Sequence, residues 1–402
     1  MSASSADTTR FSPRPVRVDF VFPKFKLLSG AERLILSLGR ALSERGHRVR
    51  VVCHQFHPSC RALAEGMIVE ETGVRLDWTG NHFLDSAFSY LLAFRLRRRI
   101  AVDAQVVCLF GPALVLAWLR SDAHRVLYFC YEPPRAADID AFDVLARVGR
   151  WQWVLAPLLK LYRLADRWLV GRVDAVLVNG EFGRQRVAAE YGRASSPITH
   201  GVNLVAGPER NEARRRLGLG ETARVAVTVN FLHPRKRVDL LLHSWPEVER
   251  RIDGAELLVV GDGPEAARLH ALAAELELAR VRFCGFVSEA ELATYYRASD
   301  LLVHVARQET FGLTVLEAAA FGLPVVAVDE GGPRYTVRQD ENGLRVPASP
   351  QHIAQAVIAL LGDPERARRM GARGVELVSR CFSWSRGAED FLSVCESLGV
   401  ER

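Results

Sequence analysis

Residues 308–332 read QETFGLTVLEAAAFGLPVVAVDEGG, and the fold can be predicted outward from this stretch. The apolar run at 301–305 predicts a strand, residues 312–321 predict a helix, and the β-branched run at 324–328 predicts a second strand. Two parallel strands need a crossover connection between them, and a helix is the usual one. The stretch therefore predicts a parallel βαβ unit.

The same alternation of apolar runs and helical patterns continues through both halves of the chain. The runs in the first half are 16–22, 49–53, 105–110, 125–130 and 175–179, and those in the second half are 225–231, 256–260, 281–286, 301–305 and 324–328. Parallel strands that are covered on both faces have such near-continuous apolar sequences. We therefore predict an α/β protein with two Rossmann-like, doubly wound domains that face a central cleft.

The composition is that of a soluble globular protein, with 49% hydrophobic and 25% charged residues among 402. No apolar run approaches the roughly 20 residues that cross a bilayer, and the polar N-terminus lacks the apolar core of a secretory signal. The seven cysteines are scattered and odd in number, which indicates reduced thiols. These features predict a cytoplasmic protein with a disordered lead-in at residues 1–16.

Positive charge is concentrated in the first half. The first 200 residues carry 28 Lys and Arg against 19 Asp and Glu, and the remaining residues carry 25 against 28. A basic surface attracts an anionic acceptor, a membrane or nucleic acid, and a general richness in arginine is the alternative. Binding of nucleic acid is not expected, since the arginine clusters lie in no recognisable binding module.

One segment of the first half combines basic and aromatic residues. Residues 144–172 read VLARVGRWQWVLAPLLKLYRLADRWLVGR, and residues 95–100 read RLRRRI. A basic, aromatic, amphipathic helix can lie at a membrane surface. The alternative is a helix that packs on its own domain with its arginines in water.

The opening stretch also contains candidate binding groups. Glu309 lies in the loop before the predicted helix, and Glu317 lies on that helix among apolar neighbours, where a carboxylate needs partners such as sugar hydroxyls. A surface glutamate on an amphipathic helix is the alternative for Glu317. The helix start presents free N–H groups and a positive dipole end to a diphosphate. These groups belong to Phe311, Gly312, Leu313 and Thr314.

Glu309 and Glu317 together resemble the E-x7-E motif of the retaining, GT-B-fold glycosyltransferases of family 4. The likeness extends over roughly residues 16–395. Further similar motifs are the helix start at 29–47, the turn His200–Asn203, the GDGP turn at 261–264, the strand and loop at 281–287, the GGP turn at 331–333 and the FSW motif at 382–384. The resemblance implies domains at 17–205 on the acceptor side and 206–380 on the nucleotide-sugar side. It also implies a C-terminal helix, 381–402, that crosses back to the first domain.

The resemblance assigns roles to residues of the second half. It implies that Glu309 contacts the donor sugar, Glu317 the ribose, and the loop with Phe286 the nucleobase. Lys236 takes the place of the lysine that neutralises the donor diphosphate, where a fixed cation stabilises developing charge. The family usually has an arginine five residues before this lysine, but here that residue is Phe231, and Arg235 is the candidate for the second charge.

The first half departs from the family at its most consequential position. In FCYEPPR the family places a histidine near the sugar and the acceptor, and Tyr131 is the catalytic candidate at that position in this chain. A tyrosine can donate a hydrogen bond, but with a pKa near 10 it is a poor base at neutral pH. His54 is a candidate substitute, and a structural histidine is its alternative. On the sugar and acceptor side the resemblance implies Ser29 and Gly30 at a helix start, together with Glu132 and Arg135.

The resemblance implies a reaction as well. We expect transfer of a sugar from a nucleotide diphosphate to a hydroxyl, with retention at the anomeric carbon, no metal ion and no cofactor. Similarity to mannosyltransferases of lipid-linked oligosaccharides favours GDP-mannose as the donor, although UDP-sugars remain open. The same similarity favours a polyprenyl-linked or anionic acceptor at the cytoplasmic face of a membrane. The two alternatives are an inactive relative that binds a nucleotide-sugar and a nucleotide-sugar epimerase.

Overall fold

The computed structural model describes residues 14–25, 30–74, 92–119, 122–131, 152–203 and 206–400. By its internal contacts the chain divides into two compact units. Unit 1 comprises Met1–Val178, Val187–Ile198 and Gly387–Arg402, and unit 2 comprises Asn179–Arg186 and Thr199–Arg386. The domain bounds predicted at residues 205 and 380 stay predictions, because contacts within a unit do not show where an independently folding domain begins or ends.

Unit 1 is built on a parallel sheet of seven strands. The strands are β1 (Arg17–Val21), β3 (Arg48–Cys53), β5 (Ile68–Glu71), β6 (Val106–Phe110), β7 (Arg125–Cys130), β8 (Ala175–Val178) and β9 (Ser196–Pro197), and a separate ladder joins β2 (Lys24–Phe25) to β4 (Gln55–Phe56). The order in the sheet is β5-β3-β1-β6-β7-β8-β9. Along the chain, β3 and β5 are thus added on one side of β1, and β6 to β9 are then added on its other side.

Helices connect these strands. They are α1 (Gly30–Glu44), α2 (Gln152–Val170) and α3 (Glu181–Tyr191), and 3-10 segments lie at Pro58–Ala64, Phe94–Arg99 and Gly111–Leu119.

Unit 2 has a parallel sheet of six strands in the order β12-β11-β10-β13-β14-β15. These strands are β10 (Arg224–Val229), β11 (Ala255–Val260), β12 (Val281–Gly285), β13 (Leu301–His304), β14 (Val325–Val328) and β15 (Gly343–Val346). The helices that follow α3 along the chain are α4 (Arg210–Arg216), α5 (Val238–Arg251), α6 (Ala266–Glu275), α7 (Glu289–Ala298), α8 (Leu313–Ala320), α9 (Pro333–Thr336), α10 (Pro350–Leu361), α11 (Pro364–Cys381) and α12 (Trp384–Ser397).

The two faces of the unit 2 sheet are both buried. Leu257 and Val259 of β11 pack into one apolar cluster with Trp245, whereas Leu258 and Val260 pack into the cluster on the opposite face. Successive strand residues point to opposite faces. A strand that is covered on both sides therefore needs an unbroken apolar sequence, which is why the runs were recognisable.

All ten predicted strands are present, and the strands that the sequence did not predict are short or lie at sheet edges. β5, β9 and β15 are edge strands. An edge strand pairs on one side only, so its residues need not all be apolar. β5 accordingly contains Glu70 and Glu71, and β15 contains Arg345.

Some predictions fall on residues that lie outside the described ranges. They concern most of the lead-in at 1–16, residues 144–151 of the basic segment, and the site candidates Ser29, Glu132 and Arg135.

Candidate functional site

Two loops that carry predicted donor residues leave neighbouring strands of the unit 2 sheet. β10 pairs with β13 although the chain forms β11 and β12 between them. The order of connection reverses at this point, and loops at the carboxyl ends of two such strands diverge and leave a crevice for a ligand. Lys236 follows β10, and Glu309 follows β13.

Lys236 and Glu309 form an ion pair in this crevice. The Lys236 Nζ donates to Oε2 of Glu309, and the two side chains are only 18% and 13% exposed. Burial alone would raise the pKa of Glu309. The charges of Lys236, His304 and Arg235 outweigh that effect and lower the pKa to about 2. The carboxylate is therefore ionised at neutral pH, and it is poised to accept hydrogen bonds.

His304, the last residue of β13, lies next to the ion pair. Its Nε2 is 4.0 Å from Oε2 of Glu309, and its side chain is 2% exposed. Among the described residues this nitrogen has no hydrogen-bond partner. Burial lowers the pKa of the ring to about 4 against the attraction of Glu309. The imidazole is thus neutral at pH 7, and it lies buried beside the ion pair.

The pH dependence of stability should reveal this buried histidine. Between pH 6.5 and 4.5 the unfolded chain takes up a proton at His304 that the folded chain refuses, so stability falls as pH falls. Protonation of Glu309 lowers stability only below the ordinary pKa of this carboxyl, 4.5. As pH falls from 6.5 to 4.5, we expect the free energy of unfolding of His304→Phe to decrease by about 2 kcal/mol less than that of wild type.

Chemical denaturation at both ends of that window measures the difference. His200, whose pKa burial lowers to about 3, supplies a similar slope in wild type and variant alike. The matched control is His243→Phe at an exposed position of α5, which should retain the wild-type slope. Equal slopes for His304→Phe and wild type would contradict a neutral, buried His304.

Strained backbone flanks both members of the ion pair. Arg237 and Gln308 each have a φ of 48°, a conformation that costs a non-glycine residue of the order of 1 kcal/mol. Contacts of the Arg237 side chain offset the cost of this backbone conformation. Its guanidinium donates two hydrogen bonds to the Glu330 carboxylate, one of them at 2.9 Å, and its Nε donates to the Val305 carbonyl at 2.9 Å. The strained turn aims Lys236 across the crevice.

Two glycines hold the Glu309 loop from the other side. The Gly332 N–H donates to the Glu309 carbonyl at 2.7 Å. A Cβ on Gly331 would lie 2.4 Å from that carbonyl oxygen, and a Cβ on Gly332 would lie 2.6 Å from the Cα of Phe311. Any side chain at either position would displace the loop, so the GGP motif acts here through close backbone packing.

The N-terminus of α8 opens beside Glu309. Gly312 caps the helix with a φ of 83°, and the Val315 N–H donates back to its carbonyl at 3.0 Å. The amides of Leu313 and Thr314 precede that first bond, so the helix itself offers them no acceptor. The Phe311 side chain is 8% exposed and packs against His200 at a centroid distance of 4.3 Å. Phe311 can therefore offer a ligand only its backbone.

Glu317 lies one turn further along α8 and is half-buried. The hydroxyl of Tyr296, a residue 1% exposed on α7, donates to its Oε2 at 2.9 Å. Tyr296 in turn stacks on Phe321 at 5.3 Å. A rigid buried phenol thus fixes the carboxylate of Glu317.

The remaining donor-side candidates are less enclosed. Phe286, just after β12, is 74% exposed, and Phe231, just after β10, is 64% exposed. Arg235 is half-buried, and its carbonyl accepts from the Arg307 N–H at 2.8 Å. Arg235 also contributes to the low pKa of Glu309, which places its charge near the crevice.

The described candidates of unit 1 are Tyr131, Gly30 and His54. Tyr131 follows β7, and its hydroxyl lies 3.0 Å from where a Cβ on Gly111, after β6, would be. Gly30 is exposed at the start of α1. His54 bonds through Nδ1 to the Thr72 hydroxyl at 2.6 Å and through Nε2 to the Leu92 carbonyl at 3.0 Å. Because both ring nitrogens of His54 are engaged, it is a structural histidine and no substitute base.

Within the described ranges, no group of three or more His, Cys, Asp or Glu side chains could hold a metal ion. Lys236 and Arg235 supply positive charge beside Glu309.

Sequence reasoning missed His304, Tyr296 and the fork between Arg237 and Glu330. His304 did leave a signal, since it is the one polar residue at the end of the apolar run LLVH. A polar residue at the carboxyl end of a buried parallel strand faces the edge where ligands bind.

Two family models match successive parts of the chain. Residues 28–205 match Glycosyltransferase Family 4, and residues 209–376 match Glycosyl transferases group 1. A GDP-mannose-dependent alpha-(1-6)-phosphatidylinositol monomannoside mannosyltransferase of Mycobacterium tuberculosis is 34% identical over 309 residues, which are 72% of this chain and 75% of that protein. A D-inositol 3-phosphate glycosyltransferase of Nocardia farcinica is 39% identical over 57% of this chain and 54% of its own length.

Solved structures with the same fold are more distant in sequence. Sucrose-phosphate synthase from Thermosynechococcus elongatus superposes with a TM-score of 0.75 at 21% identity, over 96% of this chain and 99% of its own. Anabaena HepE in complex with UDP and glucose superposes with a TM-score of 0.71 at 18% identity, over 95% of this chain and 100% of its own.

Proposed function

The chain belongs to the glycosyltransferases of family 4 and group 1, and from this membership we propose that it transfers mannose from GDP-mannose to a hydroxyl of a lipid-linked acceptor. The observation that supports the donor half of the proposal is the Lys236–Glu309 ion pair beside the open N-terminus of α8. A cation, two amides that precede the first helical hydrogen bond, and a carboxylate can together bind a sugar diphosphate.

Each group of the crevice has a proposed task. The donor diphosphate binds Lys236 and the amides of Leu313 and Thr314, since a helix N-terminus and a cation both favour negative charge. Glu309, ionised at neutral pH, accepts hydrogen bonds from the sugar hydroxyls. Glu317, which Tyr296 holds in place, accepts from the ribose hydroxyls of the nucleotide.

The proposed reaction proceeds with retention on one face of the sugar. The bond from the anomeric carbon to the β-phosphate oxygen breaks, and the acceptor oxygen bonds to the same face of that carbon. The acceptor proton passes to the departing phosphate oxygen, so no protein base is required. Lys236 and the helix amides stabilise the negative charge that develops on the leaving diphosphate.

The proposed donor and acceptor follow from the relatives. The mannosyltransferase of Mycobacterium tuberculosis is named for GDP-mannose and for a phosphatidylinositol mannoside. We propose a related anionic or lipid-linked acceptor here, and the basic excess of the first 200 residues supports it. The names of the relatives favour transfer over epimerisation of a nucleotide-sugar.

A thermal-shift screen against GDP-mannose, UDP-glucose and ADP-glucose tests the donor, because a ligand that binds only the folded state raises the melting temperature. GDP-mannose is expected to give the largest shift. A larger shift of the melting temperature with UDP-glucose would indicate that the donor is a UDP-sugar and not GDP-mannose. Formation of a free epimer without acceptor would contradict transfer.

Tyr131 provides a separate test of the acceptor side. If this position is catalytic, Tyr131→His should retain or raise the transfer rate, because a neutral imidazole also donates a hydrogen bond. The rate is measured at saturating donor with the natural lipid acceptor. Tyr131→Phe is the control that removes the hydroxyl alone. Complete loss of activity in Tyr131→His would show that the phenol has a function of its own.

A further inference from the structure

We propose that one face of unit 1 docks on the surface of an anionic phospholipid bilayer. This docking surface consists of the outer face of α2, the exposed arginines of the 3-10 segment Phe94–Arg99, and Trp118. It goes beyond the proposed function, because binding of the protein to lipid can be measured without donor, acceptor or transfer.

An apolar stripe runs along the outside of α2. Leu161, Leu164 and Trp168 are 64%, 55% and 50% exposed. Their spacing of three and then four residues places them on one side of the helix. Asp166 and Val170 on the opposite side are buried in unit 1. The helix therefore packs on its domain with one face and presents large apolar side chains to solvent with the other.

The stripe continues onto the neighbouring segments. The Arg172 guanidinium lies 5.0 Å from the ring centroid of Trp168, and its Nε donates to the Ala117 carbonyl at 3.3 Å. The next residue, Trp118, is 57% exposed and makes an edge contact with Phe94 at 6.0 Å. Arg172 thus joins Trp168 to the segment that carries Trp118. The fold brings together two segments that lie far apart in the sequence.

Cationic side chains accompany the apolar patch. Arg95, Arg97 and Arg98 are exposed on the segment that carries Phe94, and no ion pair among the described residues involves them. Lys160 is exposed next to Leu161. By contrast, Arg163 and Arg167 of α2 lie 3.3 Å and 3.6 Å from Glu190, so their charge is partly compensated within unit 1.

Apolar and cationic groups together select a lipid surface. Leucine and tryptophan enter the boundary between headgroups and acyl chains, while lysine and arginine remain with anionic headgroups. The docking surface thereby matches a bilayer in charge as well as in polarity. A second copy of this chain would instead bring the same arginines together and repel. No helix in the described part of the chain is long and apolar enough to cross a membrane, which is consistent with docking on the surface.

Co-sedimentation with vesicles tests the docking surface. The full chain is mixed with vesicles of phosphatidylcholine alone and with vesicles that also contain phosphatidylglycerol. We expect binding to the anionic vesicles that weakens as salt is added, because screening shortens the reach of charge. Arg97→Glu with Arg98→Glu should weaken this binding at least about 30-fold. The loss of each cation accounts for roughly five-fold, and the negative charge of each new glutamate adds to the loss.

The apolar contribution has its own variant. Leu161→Ser with Leu164→Ser should weaken binding to the anionic vesicles at least about ten-fold, since both side chains lose apolar area that the bilayer would bury. The matched controls lie on unit 2, where Arg251→Glu with Arg386→Glu changes two exposed arginines and Val375→Ser changes an exposed apolar residue. These controls should bind as wild type does.

Three results would overturn the proposal. One is equal binding by wild type and both docking-surface variants. Another is equal binding to neutral and anionic vesicles. The third is self-association in sedimentation velocity that the leucine variant abolishes while vesicle binding is absent, which would assign the face to a second copy. Because each exchanged side chain is exposed, loss of folding is not expected, and Lys160→Glu provides a milder variant with the same expected direction.

Discussion

Lys236→Met is expected to lower the transfer rate by a factor of about 10² to 10³, the usual effect of removing one group that stabilises developing charge. The lysine is the cation at the switch point of the unit 2 sheet, and it is held across the crevice by Glu309. Methionine keeps much of the length of the side chain but removes its charge. Initial rates at saturating GDP-mannose measure the loss.

The same substitution also affects folding, and a second variant separates the two effects. Without Lys236, Glu309, whose side chain is only 13% exposed in the ion pair, loses the cation that contacts its carboxylate. Breaking a buried ion pair from one side typically costs about 3 kcal/mol or more. Adding Glu309→Gln removes the stranded charge, so Lys236→Met with Glu309→Gln should regain stability without regaining activity. Recovery of both would mean that the pair serves only the fold.

A control variant excludes a general effect of lost charge. Arg251→Met removes an exposed cation at the end of α5 in the same unit, and it should leave the transfer rate within about two-fold of wild type because surface charges distant from the site act weakly. Full activity of Lys236→Met would show that Lys236 does not stabilise the charge on the leaving diphosphate.

Glu317→Gln is expected to weaken the binding of both GDP-mannose and GDP by about 10- to 100-fold. The substitution preserves the shape of the side chain but replaces a charged acceptor, whose hydrogen bonds are each worth about 1.5 to 3 kcal/mol. Isothermal titration with both ligands measures the change. Because the ribose is common to the two, their affinities should fall by the same factor.

Tyr296→Phe separates the acceptor from its support. The substitution removes the hydroxyl that donates to Glu317 at 2.9 Å while it leaves the buried ring on Phe321. A loss of affinity smaller than that of Glu317→Gln is expected, because the carboxylate remains but is less well fixed. Unchanged binding of GDP by Glu317→Gln would refute the ribose role.

The fold class could be predicted from the sequence. The GT-B architecture of two parallel α/β sheets is confirmed by the matching structures. The glycosyltransferase family is confirmed by the family models and by a relative at 34% identity. Both rest on unbroken apolar runs and on short motifs, and such signals are local in the sequence. The roles of the individual site residues stay predictions.

What the sequence alone specified was ten of the strands, the helix that Gly312 caps, and the candidates Glu309, Glu317 and Lys236. Hydrophobic periodicity and turn residues act between near neighbours, so they can be read along the chain. The sequence could not place Lys236 against Glu309, which are 73 positions apart. It could not show that His304 lies buried beside them, or that Arg172 joins Trp168 to the Trp118 segment. Those contacts depend on the order of strands in the sheets, because only tertiary packing brings distant loops to the same edge.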